Sequence, residues 1–411
     1  MDYATKDVYA DKLENLVPEV ARLQKDIKFV GADKREGRHY VQPVRLTRAH
    51  GWTLNTSGDA FPLNSPEPSR GDDAKVEGSA FVLRDVISYD AAAKCLKGKA
   101  AFVNGTAYML ENMAETAAFI LELQLMHGTR NIGLLATRTA DADTSQTFTF
   151  SAATFIPALW SGLEQGFVQI YGGVSGTLLT PSETKVTAVD TDTRAVTFLG
   201  TESELDAVNT DIANAPAVYL RDTKSSGMVG LIQQVSNTGT MFDISSATYS
   251  LWKGNSYATS GALSFAKIIR AVDKAVNRGL MGPMRFYISP SSWSDCMNDL
   301  SALRRYAEKA GGKLEQGADE LQYYGQNGAI VMVPHILMKP SEAFGIPTGG
   351  NTVMRVGASD LTFSMPGSGE GKYWENLPDH AGYGTRCYWN QAVLLSAPSK
   401  GVLITGIENS V

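Results

Sequence analysis

Little in this chain points to chemistry. Three cysteines, Cys95, Cys296 and Cys387, are spread over 411 residues. They fit no CxxC or zinc spacing and cannot all pair within one chain. They read as free thiols of a reducing compartment. Charge of one sign is also missing. The 37 basic residues against 43 acidic ones leave a net charge of −6, which argues against a protein that coats nucleic acid through a basic surface. Apolar runs stop well short of the ~18 residues a membrane span needs. The start, MDYATKDVYADKLENL, has no apolar stretch of signal-peptide type, so the expectation is a chain that folds in the cytoplasm and takes no membrane partner.

Catalytic and metal-binding signatures are equally scarce. His39, His50, His127, His335 and His380 never fall three or four residues apart, and they read as surface or hydrogen-bonded histidines. No GxSxG, HExxH or EF-hand pattern occurs. GSGEGKY at 367–373 imitates a phosphate loop, but its glycine spacing is one residue short. Tyr373 also stands where Ser or Thr must reach magnesium, and Trp374, Asn376 and Pro378 forbid the following helix. It reads as a surface loop. The acidic pairs Asp72–Asp73, Asp141–Asp143 and Asp190–Asp192 read as solvated turn residues before cation ligands. The aromatics near 373–389 read as packing. No enzyme, cofactor or metal is expected.

The sequence does carry architecture, ordinary in its 43% hydrophobic and 19% charged balance and long enough for two or three domains. Residues 7–26 have helical apolar spacing, with Leu13, Leu16, Val20 and Leu23 on one face and Pro18 as a break. Residues 38–54 favour β structure, a proline- and glycine-rich tip occupies 55–78, and 79–94 reads as the returning strand. Such a ribbon is marginal alone in water, so it predicts an external partner. Its candidate contacts are Trp52, Phe61, Leu63, Arg70, Asp72, Asp73 and Lys75.

The strongest helix covers 104–127, capped by Asn104 or Thr106 and stopped by Gly128. Its apolar stripe includes Leu110, Met113, Ala117, Leu121 and Leu125. Glu111, Glu115 and Glu122 are expected off the stripe. At 1.5 Å per residue it would run ~35 Å. Residues 141–222 then read as short strands, with a turn at 191–193, and predict a small inserted β-barrel or sandwich. A helix at 261–278, a strand at 284–289, a helix opened by Ser289–Pro290 and further strands at 329–334 and 343–347 form an α/β segment. The tail from 352 is β-rich.

This order of elements resembles the major capsid proteins of tailed bacteriophages, with their α+β, Hong Kong 97-like fold. The likeness is carried by NGTAYMLENMAETAAFILELQLMHG, by FYISPSSWSDCMNDL and by TGTMFDISSATYSLWKGN at 238–255. It implies an N-terminal arm at 1–36, an extended loop at 37–92 lying on a neighbouring subunit, and a peripheral domain at 93–139 and 351–411. It also implies an axial domain at 251–350, with the β-rich insertion at 140–250. Leu13, Leu16, Val20 and Leu23 would then be arm contacts between copies. The implied function is self-assembly into hexamers and pentamers of an icosahedral head around double-stranded DNA. Scaffolding, portal and decoration proteins are implied partners, and packaged DNA would be touched weakly. A same-fold nanocompartment shell and a β-rich adhesive or carbohydrate-binding protein are the alternative readings.

Overall fold

The computed structural model describes residues 22–30, 39–56, 60–90, 105–173, 175–299, 321–349, 352–363, 374–378 and 380–410. Within them two sheets, a closed barrel and one long helix share most of the core.

The long helix runs Gly105–Met126. Met113, Ala117, Leu121 and Leu125 are buried as the stripe predicts. Leu110 is only half-buried. Toward its C-terminus the helix is enclosed on all sides: every residue from Leu121 to Gly128 is buried, Glu122 included. The helix stops at Gly128, whose φ of +57° is open to glycine, and a Cβ there would lie 2.2 Å from the Gly230 nitrogen.

One side of the helix meets a five-stranded sheet. Its central strand, Gly382–Leu395, pairs antiparallel with Val353–Thr362 on one edge and with Ser79–Ser88 on the other. Phe29–Val30 adds a parallel strand beyond Val353–Thr362. Residues 79–88 are therefore not the return half of the ribbon. They alternate in the way a half-buried sheet requires, with Phe81, Leu83 and Ile87 facing Met109, Met113 and Cys387 under the helix.

A six-stranded sheet holds the second core. Its order is Ser256–Ala258, Val402–Thr405, Glu342–Pro347, Met284–Ile288, Gly328–Pro334 and Leu321–Gly325. The amphipathic helix Phe265–Val276 covers it through Ile268, Ala271, Val272 and Ala275. The helix Pro290–Asn298 begins as its sequence dictates: Ser289 accepts the Ser292 N–H at 3.2 Å, and proline takes the first turn. The last strand, Val402–Thr405, belongs here and not to the sheet formed by 353–395. The tail thus serves both sheets.

Between the two sheets in sequence, strands Gly133–Ala142, Ser145–Phe150, Phe167–Tyr171, Thr184–Asp190, Ala195–Leu199 and Ala217–Leu220 close into a barrel. Phe148, Phe150, Trp160 and Phe198 fill it, with ring centroids 4.7–6.4 Å apart. The turn expected at 191–193 joins two of its strands. Asp190 accepts the Asp192 and Thr193 N–H groups and the Thr193 hydroxyl there, and these bonds hold its carboxyl below the usual carboxylate range.

Candidate assembly surface

Tyr40–Arg45 and Gly71–Val76 form a two-stranded antiparallel ribbon, from Tyr40 opposite Val76 to Arg45 opposite Gly71. The expected return strand was too late in the chain by about eight residues. Its real partner, GDDAKV, has too few apolar residues to announce itself. Alternation still governs it: Ala74 and Val76 are buried while Asp72, Asp73 and Lys75 face out.

The root of the ribbon has a partner in its own chain, against the expectation from sequence. Leu46 and Ala74 pack with Met241, Ile244 and Trp252, and the Trp252 Nε1–H donates to the Met241 carbonyl at 2.9 Å. This seat is a tight hairpin, Thr240–Met241 with Ile244–Ser245, whose turn residues Phe242 and Asp243 stand at φ +53° and +68°. A left-handed conformation is costly for a bulky residue and persists where the surroundings impose it. Here the Phe242 carbonyl accepts the Lys75 N–H at 3.2 Å, and the Asp243 carboxylate lies 3.6 Å from the Lys75 ammonium. Lys75, expected at a contact between copies, is thus engaged within its own chain. The TGTMFDISSATYSLWKGN segment is the pedestal of the ribbon.

Beyond the pedestal, nothing among the described residues covers the large apolar side chains of the tip. The tip is kept in shape by polar bonds: Leu46 and Thr47 N–H to the Arg70 carbonyl, His50 N–H to Glu67, and Asn64 to both Thr53 and the Trp52 carbonyl. Its large apolar side chains remain in solvent, Trp52 64%, Leu54 83%, Phe61 45% and Leu63 81% exposed. Scattered surface leucines are ordinary, but here four large apolar groups stand exposed on one projecting loop. Arg70, Asp72 and Asp73 are also exposed, the two aspartates on the ribbon strand itself.

Solved structures of similar shape include phage capsids. The chain aligns with a capsid chain of cyanophage A-1(L) over 98% of both proteins, at a TM-score of 0.56 and 9% identity. It aligns with the capsid of a native GTA particle over 99% of this chain and 96% of that one, at 0.52 and 9%. For the capsid of Myoviridae phage XM1 the figures are 97%, 96%, 0.50 and 10%. The chain has a phage-capsid fold. Protein-family models and curated proteins yield no match to the sequence, so shape is the whole of this likeness.

Within the capsid fold, three of the expected arm contacts, Leu13, Leu16 and Val20, lie outside the described residues, as do Cys95 and residues 367–373. Leu23 is described, and it is not available to another copy. It is fully buried in its own chain, where Leu23–Asp26 forms a helical turn against the long helix.

Glu122 makes that seat. Its carboxylate accepts the Leu23 N–H at 2.5 Å, the Gln24 N–H at 3.1 Å and the His335 Nε2–H at 3.0 Å. His335 Nδ1 accepts the Leu337 N–H at 3.2 Å, so the ring is the neutral tautomer that donates to Glu122. A buried carboxylate satisfied by three donors is tolerable, and unsatisfied it is not. The sequence hid this because Glu122 falls among ILELQLM, where the helix is enclosed on every side.

A second buried cluster joins the helix end to the six-stranded sheet. Arg130 grips Glu342 in two bonds of 2.6 and 2.8 Å. Burial alone would raise the Glu342 carboxyl, but the Arg130 hydrogen bonds and the nearby positive charges hold it below the carboxylate range. Lys339 donates to Asn131 at 2.7 Å, and burial pulls its ammonium down to about 8. His127 donates to the Leu337 carbonyl at 2.8 Å, and burial, then Lys339 and Arg130, depress it to about 3. These groups are structural clamps. Cys296 and Cys387 are buried free thiols pushed by burial to about 12 and about 11, so neither is a ready nucleophile.

Proposed function

We propose that this chain is the major capsid subunit of a tailed bacteriophage, a structural protein and not an enzyme, which closes an icosahedral head by contacting copies of itself. The observation that carries the reading is the projecting ribbon: its root is seated in its own chain, while Trp52, Leu54, Phe61 and Leu63 at its tip are left in water. A neighbouring copy supplies the missing surface in a head-to-tail contact, which closes into rings when the rotation permits. A fold shared end to end with capsid chains supports this.

Residues 1–36 act as an N-terminal arm and 37–92 as the extended loop, its projecting part restricted to 40–76. The peripheral domain of a Hong Kong 97-like subunit is cut back to 93–132 and 351–395, with 105–126 as its spine. Residues 251–350 form the axial domain around five-fold and six-fold axes, joined by the strand Val402–Thr405, and the barrel at 133–220 is an insertion. Trp52, Phe61, Leu63, Arg70, Asp72 and Asp73 touch the neighbour. Subunits assemble in the host cytoplasm and reside in the virion, with scaffolding, portal and decoration proteins as partners and only weak contact to DNA.

The test is electron microscopy and size-exclusion chromatography of the purified full-length chain. Capsomers or megadalton shells are expected. A chain that stays monomeric at every concentration and salt would refute the reading. Shells that enclose protein cargo in place of nuclease-protected DNA would favour a nanocompartment of the same fold.

A further inference from the structure

Along Ser79–Ser88, among the described residues, only one face of the five-stranded sheet is covered. Phe81, Leu83 and Ile87 lie under the long helix, while Val82 and Val86 on the other face are 55% and 46% exposed. Between these two valines stands Arg84, and its direct cross-strand partner is Arg386. Like charges set opposite one another in an antiparallel pair are destabilising. Arg386 has Glu375 at 3.7 Å, but among the described residues no carboxylate pairs with Arg84. The two guanidinium groups border a concavity of about 390 Å³, walled by residues 375–378 and His380. A guanidinium pair is suited to a bidentate hold on carboxylates. The flanking valines and the Glu375 carboxylate suit a protein surface better than a run of phosphates.

The chain also segregates its charge. Residues 133–220, the barrel, hold ten acidic and three basic residues, a net of −7 against −6 for the whole protein. Everything outside the barrel therefore sums to +1. Copies that carry their negative charge on one module and an arginine pair on another attract head to tail.

We propose that the open sheet face around Arg84 and Arg386 receives carboxylates from the barrel of a second copy. This rests on the self-assembly reading and adds a specific contact to it. The direct probe is benzoylphenylalanine in place of Val82, an exposed position, irradiated in assembled particles and mapped by mass spectrometry. Crosslinks to residues 133–220 of a second copy are expected. Crosslinks to other segments of a second copy, to DNA, or to nothing would overturn the contact.

The second arm compares Arg84→Glu/Arg386→Glu with Arg84→Lys/Arg386→Lys. The glutamate pair is expected to raise the concentration needed for assembly by about tenfold or more, and the lysine pair by much less, with unchanged melting of the free subunit. Wild-type assembly by the glutamate variant would sink this contact while leaving the shell reading intact. A wild-type chain that never assembles would take down both.

Discussion

The barrel and the ribbon are both β structures made by short strands, yet one is finished within its chain and the other is not. The barrel closes on itself, so no strand edge is left open, and Phe148, Phe150, Trp160 and Phe198 lie in its interior. The ribbon has two strands and one seated face, and its tip points its largest side chains at solvent. Closure makes a module independent of its surroundings. A two-stranded projection keeps its unsatisfied surface until another molecule covers it. Stability of the subunit should therefore depend on the barrel and the clamps around the long helix, and assembly on the tip.

The largest effect expected from breaking this contrast is in the barrel. Phe198→Ala should cost the free subunit about 3–5 kcal/mol through the cavity it leaves, read as a lower urea midpoint. An unchanged midpoint would mean the barrel core is not what holds this module.

Acid comes next. His127 is held neutral when folded, down to about 3, whereas unfolded it protonates near 6.5. Its depressed value makes it a source of stability that is complete above about 6.5 and fades as pH falls toward 3. The loss should reach roughly 2–3 kcal/mol by pH 4.5. Glu342, also depressed, adds loss in the same direction at lower pH. Lys339 acts in the same sense but in a higher window: its depressed ammonium makes stability rise between about 8 and 10.5, so from pH 7 to 4.5 it adds only a constant penalty. Urea titrations of wild type and His127→Gln between pH 7 and 4.5 measure this, and the variant should show the smaller acid dependence.

Tip substitutions sharpen the comparison from the other side. Trp52→Ala and Leu63→Ala should leave the free subunit within about 0.5 kcal/mol of wild type. Each should weaken assembly by about 1.5–3 kcal/mol, seen as a raised critical concentration. Equal losses in both assays would contradict the division of labour argued above. Smallest is Glu122→Ala, which strands buried donors at Leu23, Gln24 and His335 and should cost about 1–3 kcal/mol. Hydrogen exchange should speed up at Leu23 and Gln24 and stay slow in the barrel.

Patterns that repeat along the chain were readable beforehand. The long helix declared its stripe and its glycine stop, the helix at 265–276 its amphipathic face, and Ser289–Pro290 its cap. The barrel strands declared their β-branched alternation. Pairings between distant segments were not readable. Nothing in GDDAKV announces that it partners YVQPVR, and nothing in SAFVLRDVIS tells that it lies beside 382–391. Leu23 looked like an exposed contact because its backbone is held by Glu122 and its side chain joins a core cluster built from residues far away in sequence. Glu122 looked exposed for the converse reason: helical period places it off the stripe, but a helix end surrounded on all sides has no outside.

Composition and periodicity alone determined that the chain folds around a long helix and many short strands, without the residue spacings of a common catalytic or metal site. They also determined that a loop of Trp, Phe and Leu would project between them, since local backbone preference and side-chain period are written residue by residue. Only the tertiary structure decided which strand partners which, where the ribbon takes root and which charges are buried. Those outcomes depend on surfaces hundreds of residues apart meeting in space, and no local pattern encodes that meeting.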